Sequence, residues 1–342
     1  MLVRFFIALL VLALALLAGA LLLPANVHVE RSLTVERPPS VVFGLLNDLQ
    51  HFQSWSPWAE RDPNARYQFS GPERGVGARM AWRGDPRQVG AGTQEITHAE
   101  PFSLIHTHLE FEGQGEADGY FDIRPVGRTS RVEWGFDTDV TEGRGFFEAL
   151  MGKYMGLLFD RWIGKDYEQG LERFKQYAES FPNADYGDLE IARLEVSAEP
   201  MLYIPTSSGQ SEEAIAAALG AAYGEISRFM ASQGIEHVGM PMSISHSRTG
   251  TGYQFDAAIP IGTSEVNPTG NIELGWTPSG EAIRAVHEGS YSSLDATYEK
   301  VAAYLAIHRL AHTGLSWEHY ISDPGETTEK ELITHVYFQL AP

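Results

Sequence analysis

The C-terminal half of the chain contains an internal repeat, which restricts the possible folds more than any other feature. The segment AYGEISRFMASQGIEHVGMPMSISH, beginning at residue 222, aligns without a gap on TYEKVAAYLAIHRLAHTGLSWEHYI, beginning at residue 297. Each copy then reaches a closing strand pattern, FDAAIPI from residue 255 and THVYFQL from residue 334. The repeat predicts two strand-helix-strand-strand units. Because one such unit has too little core to stand alone, we expect the pair to pack about a pseudo-twofold axis with a groove along it.

One carboxylate breaks the symmetry of the repeat. In this register Ser243 occupies the position of Glu318, so the acid belongs to one copy only. Side chains alternate along a strand, which places Glu318 and Tyr320 on one face and Trp317 and His319 on the other. An acid that the duplicated fold does not require favours a functional role.

If Glu318 lies in the groove, its chemistry indicates what the groove could bind. Desolvation raises the pKa of a carboxyl group, and a bound cation offsets the cost of burying its charge. Aromatic rings around the site would add cation-π attraction of about 0.5 to 2 kcal/mol each. The candidate ring residues are Trp276, Tyr291, Tyr203 and Tyr337. The alternative is that Glu318 is a solvated acid on a strand edge.

Charge and cysteine content exclude several functions. Among 342 residues there are 25 Lys and Arg against 45 Asp and Glu, a net charge of -20, which repels phosphate backbones. Nucleic acid is therefore not an expected partner, whereas a neutral or cationic small molecule is favoured. The absence of cysteine excludes disulfides, thiol catalysis and thiolate metal sites.

No metal or cofactor site is expected. His106, His108 and Glu110 share one face of a strand pattern and could hold a metal, but that face lies opposite the apolar one, which favours solvent exposure. Zinc needs three or four converging ligands, and no further cluster is evident. The glycine-rich stretch GPERGVG does not join a strand to a helix, as a phosphate loop requires, so it indicates turns.

The N-terminus predicts a membrane anchor within residues 1–26. Residues 5–23, FFIALLVLALALLAGALLL, carry no charge, and a helix of this length is about 28 Å long, close to the roughly 30 Å hydrocarbon core. Arg4 before the span favours a cytoplasmic N-terminus and extracytoplasmic domains, periplasmic in a bacterium. A cleavable signal peptide is the alternative, because residues 18–20, AGA, resemble a cleavage site.

Two folded domains are predicted after the anchor. Residues 27–180 begin with a strand and a helix that opens at Pro39 or Ser40, continue through segments with a period of two, and end in one long amphipathic helix over residues 146–181. Residues 181–188 carry the Pro, Gly, Asn and Asp typical of a linker. Residues 189–342 contain the repeat, so the fold class is α+β in both domains.

The first domain resembles the START-like superfamily, also called SRPBCC or polyketide cyclase-like. The resemblance rests on VERSLTVERPPSVVFGLLNDLQHFQSWSPW, on GPERGVGARMAWRG and on the closing helix. It implies a helix-grip fold, in which an antiparallel sheet wraps a long C-terminal helix around a cavity for apolar or amphipathic molecules. Trp82 and Trp134 are candidates to line that cavity.

The second domain resembles the GyrI-like, AraC-type effector-binding family, also called SOUL-like. The segments that carry the resemblance are AYGEISRFMASQGIEHVGMPM, AAIPIG, AVHEGSYSSLDATYEKVAAYLAIHRL and SWEHYISDP. It implies that Glu318 lies in the central groove and binds cationic aromatic effectors or assists hydrolysis. His335 departs from the family pattern, since an acid often stands there. No basic helix-turn-helix pattern is present, so a transcription-factor role does not transfer.

These features favour a membrane-tethered binding protein with an apolar-ligand cavity and a groove for an amphipathic, cationic compound. One alternative is a hydrolase with Glu318 as general acid/base and Tyr291 or Tyr320 polarising the substrate. The other is an envelope scaffold whose two cavities bind nothing. Oligomeric state and the identity of either ligand do not follow from the sequence.

Overall fold

The computed structural model describes residues 2–249 and 252–342. The chain divides into two compact units, one ending at Gly187 and the other running from Asp188 to Pro342. The last residues of the first unit are not a free linker. Tyr186 is buried, and its hydroxyl donates to the backbone oxygen of Ser40 at 2.8 Å, while the Ser40 hydroxyl donates to Asp185 at 2.7 Å.

The first unit is a seven-stranded antiparallel sheet with helices. Its strand order is β1-β7-β6-β5-β4-β3-β2. Its elements are α1 (Leu2–Leu22), β1 (Asn26–Val35), α2 (Pro39–Leu46), a 3-10 turn (Leu49–His51), α3 (Phe52–Trp55), α4 (Pro57–Arg61), β2 (Arg66–Ser70), β3 (Arg79–Arg83), β4 (Ala91–Glu100), β5 (Leu104–Phe111), β6 (Gly115–Val126), β7 (Thr129–Asp139), α5 (Phe146–Gly156) and α6 (Phe159–Glu179).

The closing helix is two helices, so the prediction of one helix over residues 146–181 was wrong in this respect. The two helices have different packing partners. In α5, a Cβ built on Gly152 would lie 2.2 Å from the backbone oxygen of Val140, so glycine allows a very close approach to the chain after β7. In α6, Leu171 and Phe174 are buried in the core. One straight helix cannot satisfy both contacts, and the helical pattern breaks between Gly156 and Phe159.

The helix predicted to open at Pro39 or Ser40 begins at Pro39 but ends at Leu46. Asp48 starts a new turn by accepting from the amide of Gln50. Ser56 then caps the short helix α4, which has Pro57 in its first turn, where a missing amide proton costs nothing. Local capping therefore divides one apolar pattern into several short helices.

The second unit is an eight-stranded antiparallel sheet with two long helices. Its strand order is β12-β9-β11-β10-β14-β15-β13-β8. Its elements are β8 (Glu190–Val196), β9 (Pro200–Ser208), α7 (Glu212–Gln233), β10 (Met242–Thr249), β11 (Gly252–Pro260), β12 (Glu273–Trp276), β13 (Gly280–Glu288), a 3-10 turn (Tyr291–Ser293), α8 (Leu294–Ile307), β14 (His312–Tyr320) and β15 (Ile333–Leu340). The predicted duplicated βαββ architecture is confirmed: β9, α7, β10 and β11 form one copy, and β13, α8, β14 and β15 form the other.

The two copies meet at the centre of this sheet, where β10 pairs with β14. Ser243 lies directly opposite Glu318, and these are the same two residues that the repeat aligns with each other. The neighbouring pairs, Met242 with His319 and Ile244 with Trp317, follow the same symmetric register. The pseudo-twofold axis therefore passes between the acid and the serine that replaces it.

Helices α7 and α8 each cover one copy of the duplicated unit. The core under α7 contains Ile226 and Phe255, and the core under α8 contains Val301 and Leu305. A third cluster, around Trp317, contains Met242 and Tyr337. The centre of the sheet, between the two helices, is left for a cavity.

Candidate functional site

A cavity of about 1000 Å³ lies between α7 and α8 above the paired strands β10 and β14. Glu318 stands on its floor, because strand alternation turns this side chain into the cavity together with Tyr320, as the sequence predicts. Tyrosine is the commonest aromatic residue around it. The tyrosines of the lining are Tyr223, Tyr253, Tyr291, Tyr298 and Tyr320.

Two phenols hold the carboxylate of Glu318. The hydroxyl of Tyr298, from α8, donates to Oε1 at 2.8 Å, and the hydroxyl of Tyr320 donates to Oε2 at 2.7 Å. None of the salt bridges found between the described residues involves Glu318. The acid is thus hydrogen-bonded but has no positive partner within that part of the chain.

Burial raises the pKa of Glu318 above its ordinary value of 4.5, although the hydrogen bonds from Tyr320 and Tyr298 oppose the shift. Part of the side chain faces the cavity, so a ligand can reach it. Burial, followed by the nearby Glu318, also raises the pKa of both phenols well above 10. The phenols therefore remain protonated and act as hydrogen-bond donors at neutral pH.

The rest of the cavity wall is more negative than positive. Glu212, Asp295 and Asp323 line it along with Glu318. Arg248 is the arginine of the lining, and it already pairs with Asp295 at 2.7 Å, with its guanidinium 5.7 Å from the centre of the Tyr253 ring. This balance favours a cationic ligand over an anionic one.

Three of the four rings predicted around Glu318 lie elsewhere; only Tyr291 lines the cavity. Tyr203 projects from β9 towards β12, where its hydroxyl donates to Glu273 at 2.7 Å and where this bond raises its pKa to about 12. Trp276 is 60% exposed at the end of the edge strand β12. Tyr337 stacks on Trp317, with ring centres 4.9 Å apart, on the sheet face opposite Glu318.

Sequence reasoning missed Tyr298, the helical residue that contacts Glu318 directly. The repeat contains the signal that could have found it, because Tyr298 aligns with Tyr223 and both line the cavity. The two copies use this tyrosine differently. Tyr298 donates to the carboxylate, whereas Tyr223, with only a serine as the counterpart of the acid, donates to the backbone oxygen of Met242 at 2.8 Å.

The first unit contains a second cavity, of about 790 Å³. Trp82 lines it, as predicted from the sequence, and its indole nitrogen donates to the backbone oxygen of Val89 at 3.1 Å. The prediction for Trp134 was wrong in placement, because this side chain is buried beneath Tyr167, with ring centres 3.8 Å apart. The larger apolar lining residues are Phe52, Trp58, Tyr67, Met80, Trp82, Phe111, Phe136, Met151, Met155, Phe159, Trp162 and Ile163.

His108, on strand β5 of the first unit, pairs with acidic side chains. His108 contacts Asp118 at 2.8 Å and Glu116 at 3.5 Å on the outer face of the sheet. The Asp118 hydrogen bond is the main reason that the pKa of His108 is raised. Within residues 2–249 and 252–342, no group of three or more His, Asp or Glu side chains could hold a metal ion.

The chain is similar to several solved structures at low sequence identity. No curated protein matches the chain. Among solved structures, the C-terminal domain of EcmrR is 15% identical and covers 45% of this chain and 98% of its own, with a TM-score of 0.39. The Zhui aromatase/cyclase of Streptomyces sp. R1128 is 16% identical over 45% of this chain and 94% of its own, with a TM-score of 0.36. A hydrolase of Listeria innocua is 14% identical over 49% and 98%, with a TM-score of 0.35.

Family matches identify each unit. Residues 26–179 match the family described as polyketide cyclase/dehydrase and lipid transport, and residues 194–341 match the GyrI-like small molecule binding domain. The two matches coincide with the two sheets. The chain therefore contains a polyketide cyclase-like domain followed by a GyrI-like domain.

Proposed function

We propose that this protein is a membrane-tethered binding protein whose GyrI-like groove holds an amphipathic cation against Glu318. The observation that carries the proposal is a deeply placed carboxylate that faces a cavity and is held only by neutral hydrogen-bond donors. A ligand cation would supply a direct ion pair, whereas Arg248, whose charge lowers the pKa of Glu318, is paired with Asp295.

Energetics support a cation rather than a neutral ligand. An ionised carboxylate in a low-dielectric site is costly unless it is paired, and the raised pKa of Glu318 expresses this cost. A cation placed against it makes a strong charge-assisted contact, while Tyr223, Tyr253 and Tyr291 offer ring surface for the apolar part of the ligand. A volume of about 1000 Å³ suits a drug-sized molecule.

The first unit is proposed to bind an apolar ligand. Its cavity of about 790 Å³ is lined mostly by aromatic and aliphatic side chains, with Gln94 and Arg144 among the ten polar or charged residues. That combination is typical of a pocket in which apolar burial supplies affinity and a few polar groups fix orientation.

Membrane tethering through α1 is part of the proposal. Residues Arg4–Leu22 form a helix long and apolar enough to cross a bilayer by length and composition. Ala20, at the end of the cleavage-like sequence, is buried, and a Cβ on Gly19 would lie 2.5 Å from the hydroxyl of Tyr154. This packing supports a retained anchor over a cleaved signal peptide. The proposed cytoplasmic N-terminus and extracytoplasmic domains rest on Arg4 before the span.

The groove proposal is tested by calorimetric titration of the full chain in lipid nanodiscs with tetraphenylphosphonium, a permanent aromatic cation. We expect Glu318→Gln to weaken binding by about tenfold or more, since about 1.4 kcal/mol of lost charge pairing is sufficient for that change. Glu299→Gln is the matched control, because Glu299 is an exposed acid beside Tyr298 on α8. Equal affinity of wild type and Glu318→Gln would contradict a cation site.

The same variants separate the alternatives. If p-nitrophenyl esters are hydrolysed by the wild type and this turnover disappears in Glu318→Gln, the groove is catalytic. If neither binding nor turnover is detected, a scaffold role is favoured. Binding without turnover is the outcome that the proposal predicts.

A further inference from the structure

Helix α5 presents apolar side chains to its surroundings. Phe146 is 61% exposed, Phe147 81% and Met151 65%, and Leu157 just after the helix is 59% exposed. Large exposed apolar side chains are thus grouped on one helix and the residue after it, whereas a soluble surface normally carries them singly.

The same helix packs against α1. The hydroxyl of Tyr154, in α5, donates to the backbone oxygen of Leu16 at 2.7 Å, and Tyr154 also fills the space beside Gly19. Leu16 lies six residues before the end of α1 at Leu22, a distance of about 9 Å along a helix. The contact between the two helices is therefore made inside the apolar run, not beyond it.

If α1 spans a bilayer, this contact fixes the depth of Tyr154 in α5. A helix held about 9 Å inside the end of the span lies at the depth of interfacial helices, whose apolar faces are buried about 5 to 10 Å into the headgroup and acyl boundary. We infer that α5 lies in the extracytoplasmic leaflet, with Phe146, Phe147 and Leu157 in contact with lipid. The inference rests on the tether in the proposed function and commits to bilayer lipid as the partner of this surface.

Membrane placement of α5 has a consequence for the first cavity. Met151, Gly152 and Met155 of α5 form part of its wall, together with Phe159 and Trp162 at the start of α6. The part of the cavity next to α5 therefore lies against the lipid. An apolar ligand can then enter from the bilayer without crossing water.

Depth-dependent quenching tests the inference on the full chain. Because the protein has no cysteine, a single Phe147→Cys or Leu157→Cys substitution gives a unique labelling site for an environment-sensitive fluorophore. In phosphatidylcholine vesicles we expect lipids with a nitroxide near the headgroup to quench both labels by about twofold. Glu172→Cys is the control. Glu172 is exposed on α6, about 20 Å along the helix axis from the start of α6 at Phe159, so its label should not be quenched.

Each outcome decides the inference. Quenching at residues 147 and 157 but not at 172 supports it. A chain that floats with vesicles but shows no quenching at 147 and 157, or equal quenching at all three positions, overturns the placement of α5 and leaves the tether intact. A chain that does not float with vesicles overturns the tether and the placement together, while phosphonium binding by that chain still decides the groove proposal separately.

Discussion

At Glu318, the two phenol hydroxyls stabilise negative charge without cancelling it. A salt bridge to arginine or lysine would satisfy the same carboxylate, but it would also remove any gain from a bound cation. Tyr298 and Tyr320 instead keep the acid ordered and leave its charge for a ligand. Neutral donors are thus the appropriate partners for an acid with the proposed role in recognition.

Binding of a permanent cation should depend on pH through Glu318. Its pKa in the folded protein lies above 4.5 because of burial, and a bound cation favours the ionised form. Affinity should therefore rise as the pH increases from 4.5 through the raised pKa and then level off. Titrations with tetraphenylphosphonium across this range check the expectation. In Glu318→Gln the same curve should be nearly flat, and an unchanged slope in that variant would show that another group is responsible.

Tyr298→Phe should weaken cation binding at neutral pH. Loss of the phenol removes a hydrogen bond to the ionised carboxylate and moves the pKa of Glu318 further upward. A larger fraction of the acid is then protonated in the free protein, and affinity falls by up to about tenfold, which corresponds to about 1.4 kcal/mol. Tyr223→Phe is the matched control, since its hydroxyl donates to a backbone oxygen and not to the acid. Calorimetry of the two variants provides the comparison, and equal losses in both would argue against a specific role for Tyr298.

At the scale of single elements, the sequence predicts strands and repeats more successfully than it predicts which side chains are in contact. Period-two alternation correctly predicted that the side chains of Glu318 and Tyr320 share one face of the strand, and both line the cavity. This prediction succeeds because the alternation depends only on local backbone geometry. The partners of Glu318 could not be obtained in this way. Tyr298 contacts the acid from helix α8, which packs on the same side of the sheet as Glu318. Tyr337 is on the neighbouring strand, but its ring lies on the opposite face of the sheet, stacked on Trp317.

The sequence pattern also did not predict the break between α5 and α6. The apolar spacing continues through it, whereas Gly152 packs against the backbone oxygen of Val140, six residues before α5 begins at Phe146. Similarly, the placement of Trp134 beneath Tyr167 depends on how the sheet and α6 meet. Long-range packing therefore decides what local periodicity leaves open.

Gly152→Ala should loosen α5. The added Cβ would meet the oxygen of Val140 at 2.2 Å, and a backbone atom cannot move aside cheaply, so we expect a cost of about 1 to 3 kcal/mol. Hydrogen exchange of residues 146–156 should become faster. In Gly220→Ala, on α7, the added Cβ meets nothing within 4 Å, so exchange there should become slower as helix propensity improves. Unchanged exchange in Gly152→Ala would contradict the packing described for α5.

For the whole molecule, the two units should be separable. Residues 188–342 contain a complete sheet, both long helices and their own hydrophobic clusters. We expect this fragment to fold alone and to bind tetraphenylphosphonium as tightly as the full chain does. Circular dichroism and calorimetry check the two expectations, and a folded fragment with clearly weaker binding would show that the first unit contributes to the groove.

The axis between Ser243 and Glu318 also bears on how a ligand is oriented. A groove made of two equal halves would accept an elongated molecule in either direction, and the two poses would have the same energy. With an acid in one half and a serine in the other, the poses differ by the interaction of one charge. The duplicated fold can thus distinguish the head of a molecule from its tail, which a perfectly symmetric groove could not.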